Sequence, residues 1–108
     1  MEMIKNLFSL KRTEQDMKRL NSALYARFNE FMHENLEWTM NNLPDNAMIQ
    51  IEIEGDEEFN AWASKLINRS LEKGQPIFVA RFRRENRGHG LEYYPDLSEG
   101  QYRTMSAL

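Results

Sequence analysis

Apolar side chains recur at steps of mostly three and four positions between Thr13 and Pro44. At about 100° per residue, this spacing gathers them on one face of a helix. Thr13 is a suitable N-cap, and Asp16 three positions later completes a variant of the capping box. Because no glycine or proline occurs before Pro44, the pattern predicts a helix over residues 13–43. The residues of the stripe are Met17, Leu20, Leu24, Phe28, Phe31, Met32, Leu36 and Leu43.

The predicted helix is long for a small domain. About 30 residues at a rise of about 1.5 Å per residue would span roughly 45 Å. Either the helix breaks, near Asn21-Ser22 or at Asn35, or one end overhangs the body and is covered by a partner or a second copy. A homodimer formed through the 13–43 helix is therefore one hypothesis.

The next segment alternates apolar and polar side chains and predicts a strand. Ile49, Ile51 and Ile53 share one face, and Gln50 lies among the polar residues of the other. Gly55 ends this strand, and the following residue can cap a helix. Apolar residues at helical spacing then predict a helix over residues 57–72. They are Phe59, Trp62, Ala63, Leu66, Ile67 and Leu71.

Residues 76–94 read PIFVARFRRENRGHGLEYY and predict a hairpin. The strand begins at Pro76, a turn spans residues 85–90, and residues 91–94 return as a short antiparallel strand. We expect one face of the long strand to be buried and the other to be exposed. The inner face carries Phe78, Ala80 and Phe82, and the outer face carries Ile77, Val79, Arg81 and Arg83.

These elements predict an α+β fold in the order α-β-α-β-β. We expect a small three-stranded mixed sheet, with the long N-terminal helix and the second helix packed on one face. The strand-helix-strand succession favours a parallel crossover, and the hairpin adds an antiparallel strand. The strand order stays open. Residues 1–108 are interpreted as one domain, with 1–12 as an arm and 97–108 as a frayed tail or one helical turn.

Composition narrows the class of protein. The chain has 108 residues, 41% hydrophobic and 29% charged, which is typical of a globular domain. It has no cysteine, so disulfides and thiolate chemistry are excluded. No secretory signal or membrane span is recognisable, and we expect a cytoplasmic protein. The net charge of −3 argues against a wholly basic, nucleic-acid-binding surface.

The arginines of the hairpin suggest a contact surface. Arg84, Arg87, His89 and Tyr94 are the candidate residues for contact with a protein partner or a nucleic acid. Guanidinium groups bind phosphates and aromatic rings stack on bases, so a nucleic-acid-binding hairpin over residues 81–94 is the alternative function. Arg81 and its neighbour Arg83 could instead pair across strands with carboxylates, for which Glu52 and Glu54 are the predicted partners.

The acidic run before the second helix is the other candidate contact surface. Presented outward, such carboxylates could contact the basic groove of a partner, whereas the structural interpretation is a solvated strand face and an ordinary helix start. The candidate residues are Glu52, Glu54, Asp56, Glu57 and Glu58.

Catalytic and metal-binding patterns are weak. His89 with Glu85 and an arginine could act as acid, base and cation in a small ribonuclease-like enzyme, which is a second alternative. Glu30 and His33 match half of a di-iron motif whose second half does not occur. We predict no cofactor, no metal and no catalytic residue.

The function favoured by the sequence is a small non-catalytic binding module. It would contact or occlude a protein partner, in the manner of phage or bacterial regulatory or inhibitory proteins. The methionines are interpreted as packing residues rather than as a binding surface. They are Met3, Met17, Met32, Met40 and Met48.

Overall fold

The computed structural model describes residues 12–72, 74–86, 88, 90–96 and 102–104, the last of these as backbone only. Seven elements follow one another in the order α-α-β-α-β-β-β. They are α1 (Glu14–Glu34), α2 (Leu36–Asn42), β1 (Met48–Ile53), α3 (Glu57–Ser70), β2 (Pro76–Asn86), β3 (Leu91–Pro95) and β4 (Tyr102–Thr104). The predicted α+β class is confirmed. No helix in the described part is long and apolar enough to cross a membrane.

Helix α1 begins and ends at polar side chains. Thr13 Oγ1 accepts a hydrogen bond from the Asp16 amide at 3.1 Å, and the Asp16 carboxylate accepts one from the Thr13 amide at 2.9 Å. This is the predicted capping box. At the other end, Asn35 leaves the helical conformation with φ −133° and ψ 60°. Its side-chain amide donates to the Phe31 carbonyl at 2.8 Å. Of the alternatives for the long helix, the structure shows the break at Asn35.

An aromatic cluster fixes the short helix α2 behind this break. The Trp38 ring meets the rings of Phe28, Phe31 and Phe78 edge-on, with centroid distances of 6.5, 5.0 and 5.9 Å. The Thr39 hydroxyl adds a hydrogen bond to the Met32 carbonyl at 3.1 Å. Trp38 thereby joins α2 to both α1 and β2.

β2 is the central strand of the sheet. β1 pairs with it in parallel, from Met48 opposite Ile77 to Ile53 opposite Phe82. β3 pairs antiparallel with residues 82–86 of β2, and β4 pairs antiparallel with residues 76–78 of β2. Since β1 already pairs with residues 77–82, β3 and β4 must lie one after the other along the opposite edge. The sheet is thus three strands wide, with the third strand in two pieces.

Helix α1 and the first half of α3 pack against one face of the sheet. The larger core joins Met17, Leu24 and Phe28 of α1 to Phe59 and Ala63 of α3. The sheet contributes alternate residues of β1 and β2 to the same core, as predicted from their spacing. They are Ile51, Ile53, Phe78, Ala80 and Phe82.

The other face of the sheet is apolar where we expected it to be exposed. Ile77 and Val79 are buried and pack with Ile67, Met48 and Leu71 in a second core. The prediction that Ile77 and Val79 lie on an exposed face was wrong. A central strand in parallel pairing is often covered on both faces, and alternation alone does not reveal this.

The side chain of Asn60 lies against the outer edge of β1. Its Oδ1 accepts from the Ile53 amide and its Nδ2 donates to the Ile53 carbonyl, both at 2.8 Å. The backbone amide of the next residue, Glu54, faces the opposite side of the strand and donates to the Phe82 carbonyl of β2. Asn60 therefore occupies the backbone groups that would face a further strand.

The expectations for the chain ends fall mostly outside the described residues. Of the arm over residues 1–12, the structure describes Arg12 alone. Of the tail over residues 97–108, it describes residues 102–104, whose backbone forms β4.

Candidate functional site

Asp56 lies in the turn between β1 and α3. Gly55 takes φ 82°, a conformation that glycine adopts without strain, and it brings the following residue to the start of the helix. Asp56 Oδ1 then accepts a hydrogen bond from the Phe59 amide at 3.1 Å. The predicted cap is confirmed, and it places the carboxylate in the interior, because Asp56 is 4% exposed.

Two arginines from distant parts of the chain meet this carboxylate. Arg12 Nη1 and Nη2 donate to its two oxygens at 2.8 and 2.6 Å. Arg84 Nη1 lies 3.5 Å from Oδ2, and its Nη2 donates to the Gly55 carbonyl at 3.2 Å. Arg12 also contacts the half-exposed Glu58 carboxylate at 3.0 Å. We call Arg12, Asp56, Glu58 and Arg84 the Asp56 cluster.

The charges of the Asp56 cluster stabilise one another. The hydrogen bonds from Arg12 hold the pKa of Asp56 below its usual value, against the opposing effect of burial. The same hydrogen bonds raise the pKa of Arg12. Asp56 is therefore an ionised group that ties together the starts of α1 and α3 and the strand β2.

The other arginines of β2 also have acidic neighbours. Arg81 Nε donates to Glu52 Oε1 at 2.9 Å, which confirms the predicted cross-strand pair. Arg83 Nε lies 3.6 Å from Asp96 Oδ2, whereas we expected Glu54. The expected pair between Arg83 and Glu54 does not form, because the pairing of β2 with β1 ends at Phe82, one residue before Arg83. All three described arginines of β2 thus have a carboxylate within 4 Å.

The tip of the hairpin is described only in part. Arg87 and His89 lie outside the described residues. The Tyr94 hydroxyl donates to the Glu92 carboxylate on the same strand. Tyr94 itself stands opposite Arg83 in the strand register. The structure therefore places Arg84 in the Asp56 cluster and Tyr94 on the opposite face of the hairpin.

The predicted acidic contact residues separate into two groups. Glu52, Asp56 and Glu58 are engaged by arginines of this chain. Glu54 and Glu57 are exposed, and neither forms an ion pair with a described residue. The run is thus not one continuous contact surface, since its central member is buried. In the described residues, no cluster of three or more potential ligands could hold a metal ion.

Helix α2 exposes two large apolar side chains that we expected to be buried, Leu36 as part of the apolar stripe and Met40 as a packing residue. Leu36 is 62% exposed and Met40 is 82% exposed. They lie one turn apart on a helix, so they share one side of it. The prediction for Leu36 was wrong because the break at Asn35 turns the stripe away from the core. Met40 likewise fills no gap in the interior.

Two shallow depressions border Leu36. One, of about 230 Å³, is lined by Asn29, Met32, His33 and Thr39. The other, of about 570 Å³, is lined by polar and acidic residues that include Glu34 and Glu37. We call Met32, Glu34, Leu36, Glu37 and Met40 the helix corner. The helix corner was not predicted from the sequence. The available indication was Asn35, a polar residue between Met32 and Leu36 of the apolar stripe, where the helix could end.

The Lys, Arg, Asp and Glu residues nearest to the helix corner in sequence are all acidic. Residues 28–64 contain nine acidic side chains and no lysine or arginine. Glu34 and Glu37 are exposed on either side of Leu36 in sequence, and neither forms an ion pair with a described residue. The helix corner therefore combines exposed apolar side chains with two carboxylates that form no ion pair within the described residues.

Comparison with known proteins gives a family and no activity. The model described as "Family of unknown function (DUF5647)" matches residues 16–91. The chain belongs to this family. The match includes the helix corner and, from the Asp56 cluster, Asp56, Glu58 and Arg84, whereas Arg12 precedes it. No curated protein and no solved structure matches the chain.

Proposed function

We propose that this chain is a small non-catalytic protein-binding module that contacts its partner through the helix corner. The observation that carries the proposal is the exposure of Leu36 and Met40, which are 62% and 82% exposed on a helix fixed by Trp38. Burying a leucine or methionine side chain contributes about 1.5–3 kcal/mol. A partner that covers both would gain a substantial part of the free energy of a specific complex.

The position of the two side chains also supports a contact role. α2 is held by edge-on contacts of Trp38 with three phenylalanines, so its outer side is presented in one orientation. Little ordering would be required on binding, which favours affinity. A module of this kind can regulate or inhibit its partner by occluding a surface, without any chemistry of its own.

The nucleic-acid-binding alternative has less support. Arg81, Arg83 and Arg84 each lie near a carboxylate of the same chain, which lowers the positive potential offered to phosphates. The candidate ribonuclease group depends on His89, which lies outside the described residues. We therefore place the contact surface on the helices rather than on the hairpin.

The proposal is tested by affinity capture from a lysate of the source cells, with and without nuclease treatment. The baits are the wild-type chain, the double variant Leu36→Ser/Met40→Ser, and the control Leu91→Ser. Leu91 is a matched control because it is 56% exposed and lies in β3, away from α2. Circular dichroism and urea unfolding verify that all three baits are folded to the same extent.

We expect one stoichiometric protein that the wild-type chain and Leu91→Ser retain. Capture by the double variant should fall at least about tenfold, since about 1.4 kcal/mol corresponds to a factor of ten. Equal capture by the double variant would refute the helix corner as the contact surface. A partner that disappears after nuclease treatment would favour the nucleic-acid-binding hairpin instead.

A further inference from the structure

The charge of the helix corner restricts the partners that can bind there. Glu34 and Glu37 lie with Leu36 around the larger depression, and no lysine or arginine occurs between Arg27 and Lys65. A partner segment that covers the apolar side chains must approach these carboxylates. A segment with positive charge is attracted to them, whereas nucleic acid, an anionic membrane or another acidic surface is repelled.

The shape of the helix corner indicates the form of that segment. Leu36 and Met40 form a ridge one helical turn long, and Met32 lines the depression on one side of Leu36. Apolar anchors spaced by three or four residues on a partner helix can pack beside such a ridge. The flexible Met40 side chain can adapt to such anchors.

We infer that the helix corner binds a basic amphipathic helix of a partner protein, whose leucine-like anchors cover Leu36 and Met40 and whose lysines or arginines face Glu34 and Glu37. The inference rests on the proposed function and adds the chemistry of the partner. A second copy of this chain fits less well, because its helix corner would bring the same carboxylates against those of the first.

The test uses two synthetic peptides of equal length with leucines at positions i, i+3, i+4 and i+7. One carries lysines on its polar face and the other carries glutamates. Binding to the full chain is measured by titration calorimetry and by the methyl resonance of Met40. That resonance is assigned from its loss in Met40→Leu, a variant that keeps an apolar side chain.

Matched variants distinguish binding of the lysine peptide at the helix corner from its non-specific electrostatic attraction to an acidic protein. Glu34→Gln/Glu37→Gln removes two carboxylates of the helix corner. The control Glu54→Gln/Glu57→Gln removes two exposed carboxylates elsewhere and changes the net charge equally. We expect the lysine peptide to shift the Met40 methyl resonance. Its Kd should weaken roughly fivefold in the first variant and less than about twofold in the control.

Three results would overturn the inference. They are equal binding of the glutamate peptide, equal weakening by the two glutamine pairs, and a Met40 resonance that the lysine peptide leaves in place. A dimer in light scattering that Leu36→Ser/Met40→Ser abolishes would also overturn it, in favour of a second copy. If these results appear while capture of the natural partner still depends on Leu36 and Met40, the proposed protein-binding function is retained. Only the inference that the partner segment is a basic amphipathic helix is then refuted.

Discussion

The Asp56 cluster and the helix corner differ in where their side chains find partners. In the Asp56 cluster a 4% exposed carboxylate is paired by two arginines of the same chain and caps α3. In the helix corner two large apolar side chains face solvent and the neighbouring glutamates form no ion pair with a described residue. The first arrangement is complete in one molecule, whereas the second gains stability only when another surface covers it.

This comparison shows why charge clusters are unreliable signs of a contact surface. The arginines and carboxylates of residues 52–84 are conspicuous in sequence, yet Glu52 pairs with Arg81 and Asp56 with Arg84, and these pairs hold elements of the fold together. Leu36 and Met40 resemble ordinary core residues in sequence, yet both are exposed. Substitutions in the two regions should therefore have opposite effects on stability and on binding.

The largest effect is expected for Trp38→Ala, which removes the side chain that holds α2 in place. Loss of its contacts with Phe28, Phe31 and Phe78 should lower the free energy of unfolding by about 3 kcal/mol. Capture of the partner should also fall, because α2 loses its fixed orientation. Urea unfolding and affinity capture measure the two effects. Unchanged binding in a destabilised Trp38→Ala chain would show that the helix corner does not depend on this orientation.

A smaller loss is expected for Asp56→Asn, which keeps a capping oxygen but removes the charge that Arg12 and Arg84 pair with. We expect about 2 kcal/mol at neutral pH, since hydrogen bonds to charged groups contribute about 1.5–3 kcal/mol and both arginines are a third exposed. Partner capture should be unchanged. Glu58→Gln is the control, and its half-exposed pair should contribute less than about 1 kcal/mol.

The effect of Asp56→Asn should depend on pH in one direction. Because folding lowers the pKa of Asp56, its charge stabilises the fold above the unfolded value of about 4. This contribution is lost as the pH falls through the pKa of the folded state. Urea unfolding of both chains should therefore show their difference shrinking from about pH 4 downwards. A difference that is constant with pH would mean that the cap, rather than the charge, stabilises the turn.

The smallest effect is expected for Arg81→Ala. The Arg81–Glu52 pair is exposed, and such cross-strand pairs contribute about 0.2–1 kcal/mol. Unfolding in urea should shift accordingly, and capture of the partner should be unchanged. Weak nucleic-acid binding that is lost in Arg81→Ala and falls steeply with salt would move the contact surface from the helix corner to the hairpin.

Much of the fold follows from local patterns. The Thr13 and Asp56 caps, the alternation of Ile49 to Ile53 and the hairpin depend on residues close in sequence and were predictable, although β2 continues to Asn86, past residue 85 where the turn was expected to begin. The pair between Arg81 and Glu52 was also predictable, once parallel neighbours were assumed. The caps and the hairpin are determined by residues a few positions apart, and the ion pair is determined by the register between β1 and β2.

The remaining features depend on residues far apart in sequence. Arg12 reaches Asp56 across 44 positions, and no pattern in either segment indicates the contact. The burial of Ile77 and Val79 depends on what packs against the second face of the sheet. The exposure of Leu36 depends on which of several polar residues ends α1. The spacing of apolar residues indicates which side of a helix is buried. It does not indicate the residue at which the helix ends and that side no longer faces the core.

The contact between Asn60 and Ile53 has a consequence for how copies of the chain behave when crowded. An open strand edge can pair with the same edge of a second molecule and start a growing sheet. At the end of β1 that pairing is blocked, because a side-chain amide already holds both backbone groups of Ile53. The chain can therefore keep apolar residues exposed on its helices while one end of an edge strand is protected from aggregation.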